Sequence, residues 1–410
     1  MTIYRLRDAL RLTRSLAAAT VTLLAIGCIV EESDASKKAT ADSAAQTAPA
    51  SAILDTAGSV AAEVSAPAYN LYSLDTAGLG AQMDSLPPLA SDPGYSQITA
   101  QSAVAPPRKF PVAIPNRGPV VLQLQVMLDR AGFSPGIIDG TWGKNAAKAL
   151  RYFRAANGMD STVTKSLDKA TYDMLTAAIQ TTPTITTHEV TMDDIEGPFL
   201  PIPDDVYEQA KLKCLCYSSP AEQLAEQFHT SEAMLRQLNP KVDLEALAAG
   251  VKLQVPNVQT PIDDPATRDT AAQRAARIVI SKTGFWTQVY DGSGKVVAHF
   301  PSTLGAGYDP SPTGGFRVTN ISREPTFHYQ PALFAEVPDT KPKARLPPGP
   351  NSPVGVVWMA LSKPHYGIHG TSAPETIGYT NSHGCVRLTN WDADRLAQLI
   401  RAGTPVEFQL

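Results

Sequence analysis

A long segment near the start of the chain is too poor in core-forming residues to fold by itself. Ala, Ser, Thr and Pro make up 42 of the 82 residues from 29 to 110, and neither a helical nor a strand period of apolar residues persists there. Such a composition buries too little apolar surface to offset the entropy that is lost on ordering. We therefore predict a disordered Ala/Ser/Pro tether over residues 29–117 and expect the folded modules to follow it.

The start of the chain has the pattern of an export signal. Four arginines between residues 5 and 14 precede a 13-residue apolar run, which is the length of a signal-peptide core. The run ends in the string AIGC at Cys28, which resembles a bacterial lipoprotein box. The resemblance implies a signal peptide over residues 1–28, with Cys28 lipidated and the chain anchored to a membrane. An ordinary cleaved signal is the alternative.

The resemblance also implies a location. A lipoprotein of this kind is exported to the cell envelope, here as a periplasmic protein. Ile29 stands where some enteric bacteria have the Asp that retains a lipoprotein at the inner membrane. We therefore expect an outer-membrane anchor where the host has such a membrane.

The overall charge excludes one class of partner. The chain has 35 basic and 39 acidic residues, a net charge of −4, which excludes a nucleic-acid binder that relies on bulk positive charge. No run of 18 or more apolar residues occurs, so a conventional membrane-spanning helix is not expected. We expect no nucleic-acid partner, and membrane contact only through the N-terminal lipid.

Three helices separated by turn dipeptides are predicted between residues 118 and 180. Apolar residues recur at helical spacing over 121–128, 146–156 and 167–178, and the dipeptides PG and DG between them are typical of turns. The order GF-x-PG-x-x-DG-x-WG, then AL-x-x-FR, resembles the three-helix peptidoglycan-binding module. The resemblance implies a small all-α module that binds peptidoglycan. A three-helix spacer without a ligand is the alternative.

Residues 212–258 are predicted to form a small α/β module. One helix should follow Pro220, a second should begin at Ser231, and residues 251–255 alternate as a strand does. The strings AEQLAEQFHTS, LRQLNP and AGVKLQVPN resemble the LysM family, whose members commonly hold glycans that contain N-acetylglucosamine. The resemblance implies a LysM module, and a domain of the same shape that only packs is the alternative.

Four cysteines in 410 residues are too few to staple the fold. Cys214 and Cys216 lead into the α/β module, and in an extended chain their Cα atoms would be about 6.6 Å apart, at the edge of what a disulfide tolerates. We interpret them as small buried hydrophobic residues rather than as a strained redox pair.

Residues 276–410 are predicted to form a mostly β domain. Two strands over 277–281 and 285–290 lead to an Asp-Gly turn and a returning strand over 296–300, which makes a hairpin. Further strands are predicted over 315–319, 355–361 and 406–409. One helix is predicted over 391–402, capped by Thr389 or Asn390.

The candidate catalytic residues lie close together near the end of the chain. Alternate side chains of an extended segment share a face, which places His383, Cys385 and Arg387 together. An imidazole can raise the thiolate fraction of a nearby cysteine. The Gly384 amide can face an oxyanion, and Arg387 can orient a carboxylate or a carbonyl. These residue types suit acyl transfer through a thioester.

The strings YGIHGT and IGYTNSHGCVRL around these residues resemble the catalytic signature of the YkuD-type L,D-transpeptidases. PTGGF and PPGPNSPVG, further upstream, match other landmarks of that family. The resemblance implies six catalytic or pocket residues: Cys385 as nucleophile, His383 as its base, His369 and Arg387 as pocket residues, and Ser382 and Gly384 as residues that shape the loop.

The implied reaction acts on the stem peptides of peptidoglycan. Cys385 would attack the carbonyl of the L-centred third residue of a tetrapeptide and release the terminal D-alanine. An amine of a neighbouring stem would then take the thioester and form a 3-3 cross-link. The acyl-enzyme keeps the energy of the cleaved bond, so we expect no cofactor. The alternatives are an L,D-carboxypeptidase, a ligase of proteins to peptidoglycan, and an inactive cell-wall anchor.

The remaining titratable residues carry weaker hypotheses. A zinc site built from His365, His369, His383 and Cys385 would need a helix that Pro364 opposes, so we expect no metal. The other histidines show no partner spacing and are interpreted as structural or exposed: His188, His229, His299 and His328. We interpret Asp392 and Asp394 as first-turn helix charges that the dipole favours.

Overall fold

Three hydrophobic cores organise the part of the chain that the structure describes. The computed structural model describes residues 89–180, 182–258, 275–305, 310–333 and 340–410. One core lies among three helices, a second between helices and a two-stranded sheet, and a third under an eight-stranded sheet. Within these ranges no helix is both long enough and apolar enough to cross a membrane.

The elements fall into three groups along the chain. The helices of the described ranges are α1 (Pro93–Ser96), α2 (Ala100–Val104), α3 (Pro119–Arg130), α4 (Lys144–Ala156), α5 (Lys169–Ala178), α6 (Val206–Gln209), α7 (Pro220–Gln227), α8 (Glu232–Leu238) and α9 (Asn390–Leu399). The strands are β1 (Val112–Ala113), β2 (Ser166–Leu167), β3 (Ile185–Glu189), β4 (Lys252–Pro256), β5 (Arg277–Ser281), β6 (Trp286–Tyr290), β7 (Val296–Pro301), β8 (Leu304–Gly305), β9 (Gly314–Arg323), β10 (Phe327–Tyr329), β11 (Ala344–Leu346), β12 (Val357–Leu361), β13 (Gly367–His369), β14 (Asn381–Ser382), β15 (Val386–Arg387) and β16 (Pro405–Gln409). We name the groups the three-helix module (117–180), the mixed module (184–258) and the β-rich domain (275–410).

The three-helix module has the helices that apolar spacing predicted. α3 and α4 each contain the predicted run, whereas α5 begins two residues later than predicted because Leu167 lies in β2. Asp168 caps α5 by accepting a hydrogen bond from the Thr171 amide at 2.8 Å. Arg154 of α4 is buried and donates to Thr171 at 3.0 Å and to Asp168 at 2.8 Å. This guanidinium therefore ties α4 to the start of α5.

The mixed module begins earlier in the chain than predicted. β3 pairs antiparallel with β4, with Thr186 opposite Val255, and α7 and α8 lie between the two strands in sequence. The strand that pairs with β4 therefore lies before residue 212, and residues 190–251 contain no strand. The predicted boundary at residue 212 is wrong. The string ITTHE of β3 has one large apolar residue, and so it lacks the alternation from which a strand is predicted.

Cys214 and Cys216 form a disulfide, which corrects their interpretation as buried hydrophobic residues. Their Cα atoms are 5.2 Å apart, closer than the roughly 6.6 Å of an extended chain. Leu215, between them, is fully buried and exchanges backbone hydrogen bonds with the β-rich domain. Contacts with a distant part of the chain thus bend this segment into a shape that a disulfide can bridge.

The predicted tether extends too far toward the C-terminus. Its last part forms α1, α2 and β1, and Tyr95, Ile98 and Ala103 are buried in the core of the mixed module. Asp92 caps α1 and forms an ion pair with Arg117 at 3.0 Å. A few apolar side chains, each covered by residues far along the chain, order a segment whose own composition predicts disorder.

The β-rich domain is a mixed sheet with the strand order β15-β13-β12-β9-β16-β5-β6-β7, which confirms the predicted mostly β domain. The predicted hairpin is β6–β7, and Asp291 closes its turn by accepting from the Ser293 and Lys295 amides. The predicted helix is α9, capped by Thr389, which accepts from the Asp392 amide at 3.2 Å. The apolar face of α9 packs in the core of the sheet.

A buried ionic cluster joins the three groups. The Asp129 carboxylate, on α3, accepts hydrogen bonds from the Arg395 guanidinium at 3.2 and 3.3 Å and from His229 Nδ1 at 3.2 Å. Arg395 lies on α9, and His229 follows α7 in the mixed module. Burial by itself would raise the pKa of Asp129, but the charges and hydrogen bonds of Arg395 and His229 dominate and lower it to about 2.

Asp392 is a second buried carboxyl on α9. It accepts a hydrogen bond from Ser134 Oγ of the three-helix module at 2.8 Å. Burial, and then the negative charge of Asp129, raise the pKa of Asp392 to about 7. The sequence interpretation as a first-turn charge omitted this burial, because the covering module lies more than 200 residues away.

We expect Asp129→Ala to destabilise the protein strongly. The substitution leaves the Arg395 guanidinium buried without its carboxylate, and breaking a buried pair from one side costs about 3–5 kcal/mol in the free energy of unfolding. Urea titration monitored by circular dichroism measures the change. Asp173→Ala removes an exposed pair with Lys169 and is the matched control. Equal midpoints for the two variants would contradict a central role for Asp129.

We expect Asp392→Asn to remove a pH dependence of stability. Because the folded-state pKa of Asp392 lies above its unfolded value of 3.8, its contribution is full below pH about 4 and is lost as the pH rises to about 7. The wild-type free energy of unfolding should therefore fall across this window by roughly 2–4 kcal/mol more than that of the variant. Urea titrations at several pH values measure both curves. Parallel curves would refute the assignment, and Asp394→Asn on the same helix is the control.

Candidate active site

Cys385 lies in a short loop between two strands that belong to different sheets. β14 pairs with β8, and β15 pairs parallel with β13 at the edge of the large sheet. In this pairing Arg387 is opposite His369, so the register brings two of the predicted site residues together. The local sequence favours this path because Val386 and Leu388 are fully buried and fix which side faces outward.

Hydrogen bonds hold the backbone of this loop in place. Ser382 Oγ donates to the Cys385 carbonyl at 2.5 Å, and Ser311 Oγ donates to the Gly384 carbonyl at 2.8 Å. The Gly305 amide in turn donates to Ser311 Oγ at 2.9 Å. Gly384 has a φ of +91°, a left-handed conformation that favours glycine. The loop is thus fixed at both peptide groups that precede β15.

Exposed and buried side chains alternate along this segment, although residues 383–385 form a bend rather than the extended backbone that the sequence predicted. His383, Cys385 and Arg387 are partly exposed, whereas Ser382 and Val386 are buried. The Cys385 thiol lies 3.6 Å from the His365 carbonyl oxygen, to which it donates. The thiol therefore sits at the surface of the domain with a polar acceptor beside it.

His369 is held as a neutral imidazole with a defined tautomer. Its Nδ1 donates to the Gly370 carbonyl at 2.7 Å, which leaves Nε2 as the unprotonated acceptor. The ring stacks on Trp358, with centroids 5.2 Å apart. Burial, and then the positive charge of Arg387, lower the pKa of His369 to about 3, against a smaller opposing effect of the Gly370 hydrogen bond.

These residues line a pocket of about 380 Å³. Five of the six predicted site residues contribute side chains to its wall: His369, Ser382, His383, Cys385 and Arg387. The aromatic side chains of Phe327, Tyr329, Trp358 and Tyr366 give it an apolar face. The sixth predicted residue, Gly384, is not among the residues that line it. Such a pocket suits an extended peptide with polar groups at one end.

The sequence did not identify several residues of the pocket. Ser311, which anchors the loop, carried no signal of its own beside the landmark PTGGF. Asp204 and Gln209 reach the pocket from the mixed module, and sequence spacing cannot reveal that contact. Among the described residues no three His, Cys, Asp or Glu side chains are grouped as metal ligands would be. Cys28 lies outside the described residues.

Two family models match separate parts of this chain. A family model described as "L,D-transpeptidase catalytic domain" (YkuD) matches residues 275–408, and one described as "Putative peptidoglycan binding domain" matches residues 117–175. The first covers every residue of the pocket except Asp204, Val206 and Gln209, and the second covers most of the three-helix module.

Relatives over about half of the chain carry the same description. "Putative L,D-transpeptidase YkuD" of Bacillus subtilis (strain 168) is 30% identical over 183 residues, which are 45% of this chain and 89% of the relative. The protein of the same name from Bacillus licheniformis is 29% identical over 185 residues, 45% of this chain and 90% of the relative. The crystal structure of L,D-transpeptidase 3 from Mycobacterium tuberculosis is 18% identical, with a TM-score of 0.29, over 40% of this chain and 77% of that one.

We expect the His369 imidazole to stay neutral across the ordinary pH range. Because its pKa is lowered to about 3, ¹⁵N NMR should show a ring protonated at Nδ1 alone from about pH 5 to 9. Arg387→Gln should raise the pKa, since it removes the neighbouring positive charge. A wild-type titration midpoint near the ordinary value of 6.5 would contradict this electrostatic picture.

Proposed function

The chain belongs to the YkuD-type L,D-transpeptidase family, and we propose that Cys385 is the nucleophile with which it cross-links peptidoglycan. The observation that carries the proposal is the pocket itself. A partly exposed thiol lies in a loop fixed by Ser382 and Ser311, and it lines the same pocket as a neutral imidazole. This is the arrangement that acyl transfer through a thioester requires.

The first half-reaction cleaves a stem peptide. The Cys385 thiol gives its proton to an imidazole nitrogen, and Sγ forms a bond to the carbonyl carbon of the L-centred third residue. The peptide C–N bond then breaks, and the released D-alanine amine takes the proton from the imidazole. The product is a thioester between Cys385 and the stem.

The second half-reaction forms the cross-link. A neutral amine of a neighbouring stem attacks the thioester carbon and gives a proton to the same imidazole. The C–S bond breaks, an amide forms between two third-position residues, and the imidazole returns the proton to Sγ, which restores the Cys385 thiol. Water in place of the amine would give an L,D-carboxypeptidase, and an amine of a protein would give a ligase of proteins to peptidoglycan.

We propose His369 as the base, although the sequence resemblance implied His383. The hydrogen bond from His369 Nδ1 to Gly370 leaves Nε2 free to accept a proton at neutral pH. His383 remains a pocket residue one position from Gly384, where it can orient the substrate carbonyl. The positive φ of Gly384 supports a backbone amide that faces the oxyanion.

The remaining modules are proposed to hold the enzyme on its substrate. The three-helix module would bind peptidoglycan, and the mixed module, a LysM-like unit in our proposal, would hold glycan. Both are fixed to the β-rich domain through Asp129 rather than by a loose linker. Fixed binding sites raise the local concentration of stems at Cys385. A lipid on Cys28 would anchor the chain in the cell envelope, at the outer membrane where the host has one.

Mass spectrometry of the purified chain incubated with disaccharide-tetrapeptides tests the proposal. The wild type should give a cross-linked dimer, and Cys385→Ala should give none. Loss of a general base typically lowers the rate about 10²–10⁴-fold, so His369→Ala should lower the rate by this factor. The remaining rate should rise more steeply with hydroxide concentration than that of the wild type. His188→Ala, in the mixed module, is the matched control.

The outcomes separate the alternatives. A larger loss in His383→Ala than in His369→Ala would return the base to His383. Free tripeptide without dimer would identify a carboxypeptidase. A wild type without any product would favour the anchor or a protein acceptor.

A further inference from the structure

One wall of the catalytic pocket comes from outside the L,D-transpeptidase domain. Asp204, Val206 and Gln209 line the pocket together with Cys385. They belong to residues 203–217, which precede α7 of the mixed module and lie outside the matched range 275–408. We call residues 203–217 the wall segment.

Backbone hydrogen bonds dock the wall segment on the β-rich domain. The Leu215 amide donates to the Pro348 carbonyl, and the Asn351 amide donates to the Leu215 carbonyl, both at 2.9 Å. The Leu215 side chain is fully buried. Gly349 allows the approach, because a Cβ on it would lie 2.2 Å from the Leu215 oxygen. The contact therefore needs a residue without a side chain at position 349.

Side chains fix the two ends of the wall segment. Asn351 Nδ2 donates to the Cys216 carbonyl at 2.9 Å, next to the Cys214–Cys216 disulfide. Tyr207, on α6, donates through its hydroxyl to the Pro342 carbonyl at 3.0 Å. Its ring also packs edge-on against Tyr329, with centroids 6.2 Å apart. α6 is thus held against the pocket rather than left on the surface.

The wall segment brings a charge that the domain does not supply. Asp204 is the one acidic side chain among the described residues that line the pocket, and Arg387 is the one arginine or lysine. Asp204 takes part in no ion pair among the described residues. A substrate with carboxylate and ammonium groups would meet a complementary charge at each of these two residues.

We infer that the wall segment positions the substrate and that its Asp204 carboxylate holds an ammonium group of a stem peptide. The inference rests on the proposed function, since an amine is what the second half-reaction consumes. The ammonium can belong to the donor stem, bound as the thioester forms, or to the acceptor stem, bound before it loses its proton. The Cys214–Cys216 disulfide holds the wall segment in its position at the pocket.

Asp204→Asn tests the charge without changing the shape of the pocket. Acyl-enzyme formation is followed by intact-protein mass with a disaccharide-tetrapeptide donor, and cross-linking is followed at varied acceptor concentration. An exposed charge pair changes affinity by up to about five-fold. The variant should therefore raise one apparent KM by roughly three- to five-fold at low salt, and less at high salt, with kcat nearly unchanged. Glu208→Gln, on the helix α6 that follows Asp204 but paired with Lys211 outside the pocket, is the control.

The two arms identify the source of the ammonium. A raised KM for the donor alone assigns Asp204 to the donor stem, and a raised KM for the acceptor alone assigns it to the acceptor stem. An unchanged KM for both, in a protein that still cross-links, would overturn the inference. A wild type that forms no acyl-enzyme would refute the proposed function instead.

Replacing both cysteines tests the wall segment itself. The double variant Cys214→Ser, Cys216→Ser should raise the same KM as Asp204→Asn, because the wall segment is no longer held in its position at the pocket. Combining it with Asp204→Asn should add less than the two separate effects. Full additivity would show that the disulfide and Asp204 act independently and would overturn this part of the inference. The Asp204→Asn result stands even if the double variant does not fold.

Discussion

The architecture depends on one buried carboxylate. Asp129 joins a helix of the three-helix module to Arg395 of α9 and to His229 of the mixed module. Desolvating three ionisable groups is unfavourable unless all are paired. If one of the three elements separated, the groups of the other two would remain buried without a partner, at a large cost in free energy. The stacking of His229 on Trp391, with centroids 5.2 Å apart, adds an apolar contact at the same place. The three-helix module, the mixed module and the sheet therefore behave as one folded unit.

The junction is also close in sequence to the Cys385 loop. β15 leads directly through Leu388 and Thr389 into α9, the helix that carries both Asp392 and Arg395. The helix cap at Thr389 fixes where the helix starts and, with it, where β15 ends. A displacement of α9 would therefore be transmitted to the Cys385 loop. This continuity offers a physical reason why the three-helix and mixed modules are packed on the β-rich domain instead of being joined to it by a linker alone.

Local sequence patterns predicted most of the helices and strands and the Cys385 loop. They did not predict contacts between segments that are distant in the chain. The three helices, the Asp291 hairpin and the alternation around Cys385 follow from spacing within about ten residues. Three features each need a partner far along the chain: the pairing of β3 with β4, the folded structure of residues 89–113, and the bend at Leu215. Asp392 shows the same limit, since its place in the helix was predicted and its burial under Ser134 was not.

The low pKa of His369 constrains how the thiol is activated. An imidazole with a pKa of about 3 does not hold a resting ion pair with a thiolate, so in the proposed mechanism the proton would leave Cys385 as the thiol attacks the carbonyl. Arg387 contributes to the low value, because its charge opposes a second positive charge on the ring. A stem carboxylate that pairs with Arg387 would cancel this repulsion and raise the basicity of Nε2. Substrate binding would then strengthen the base at the point where the proposed reaction needs it.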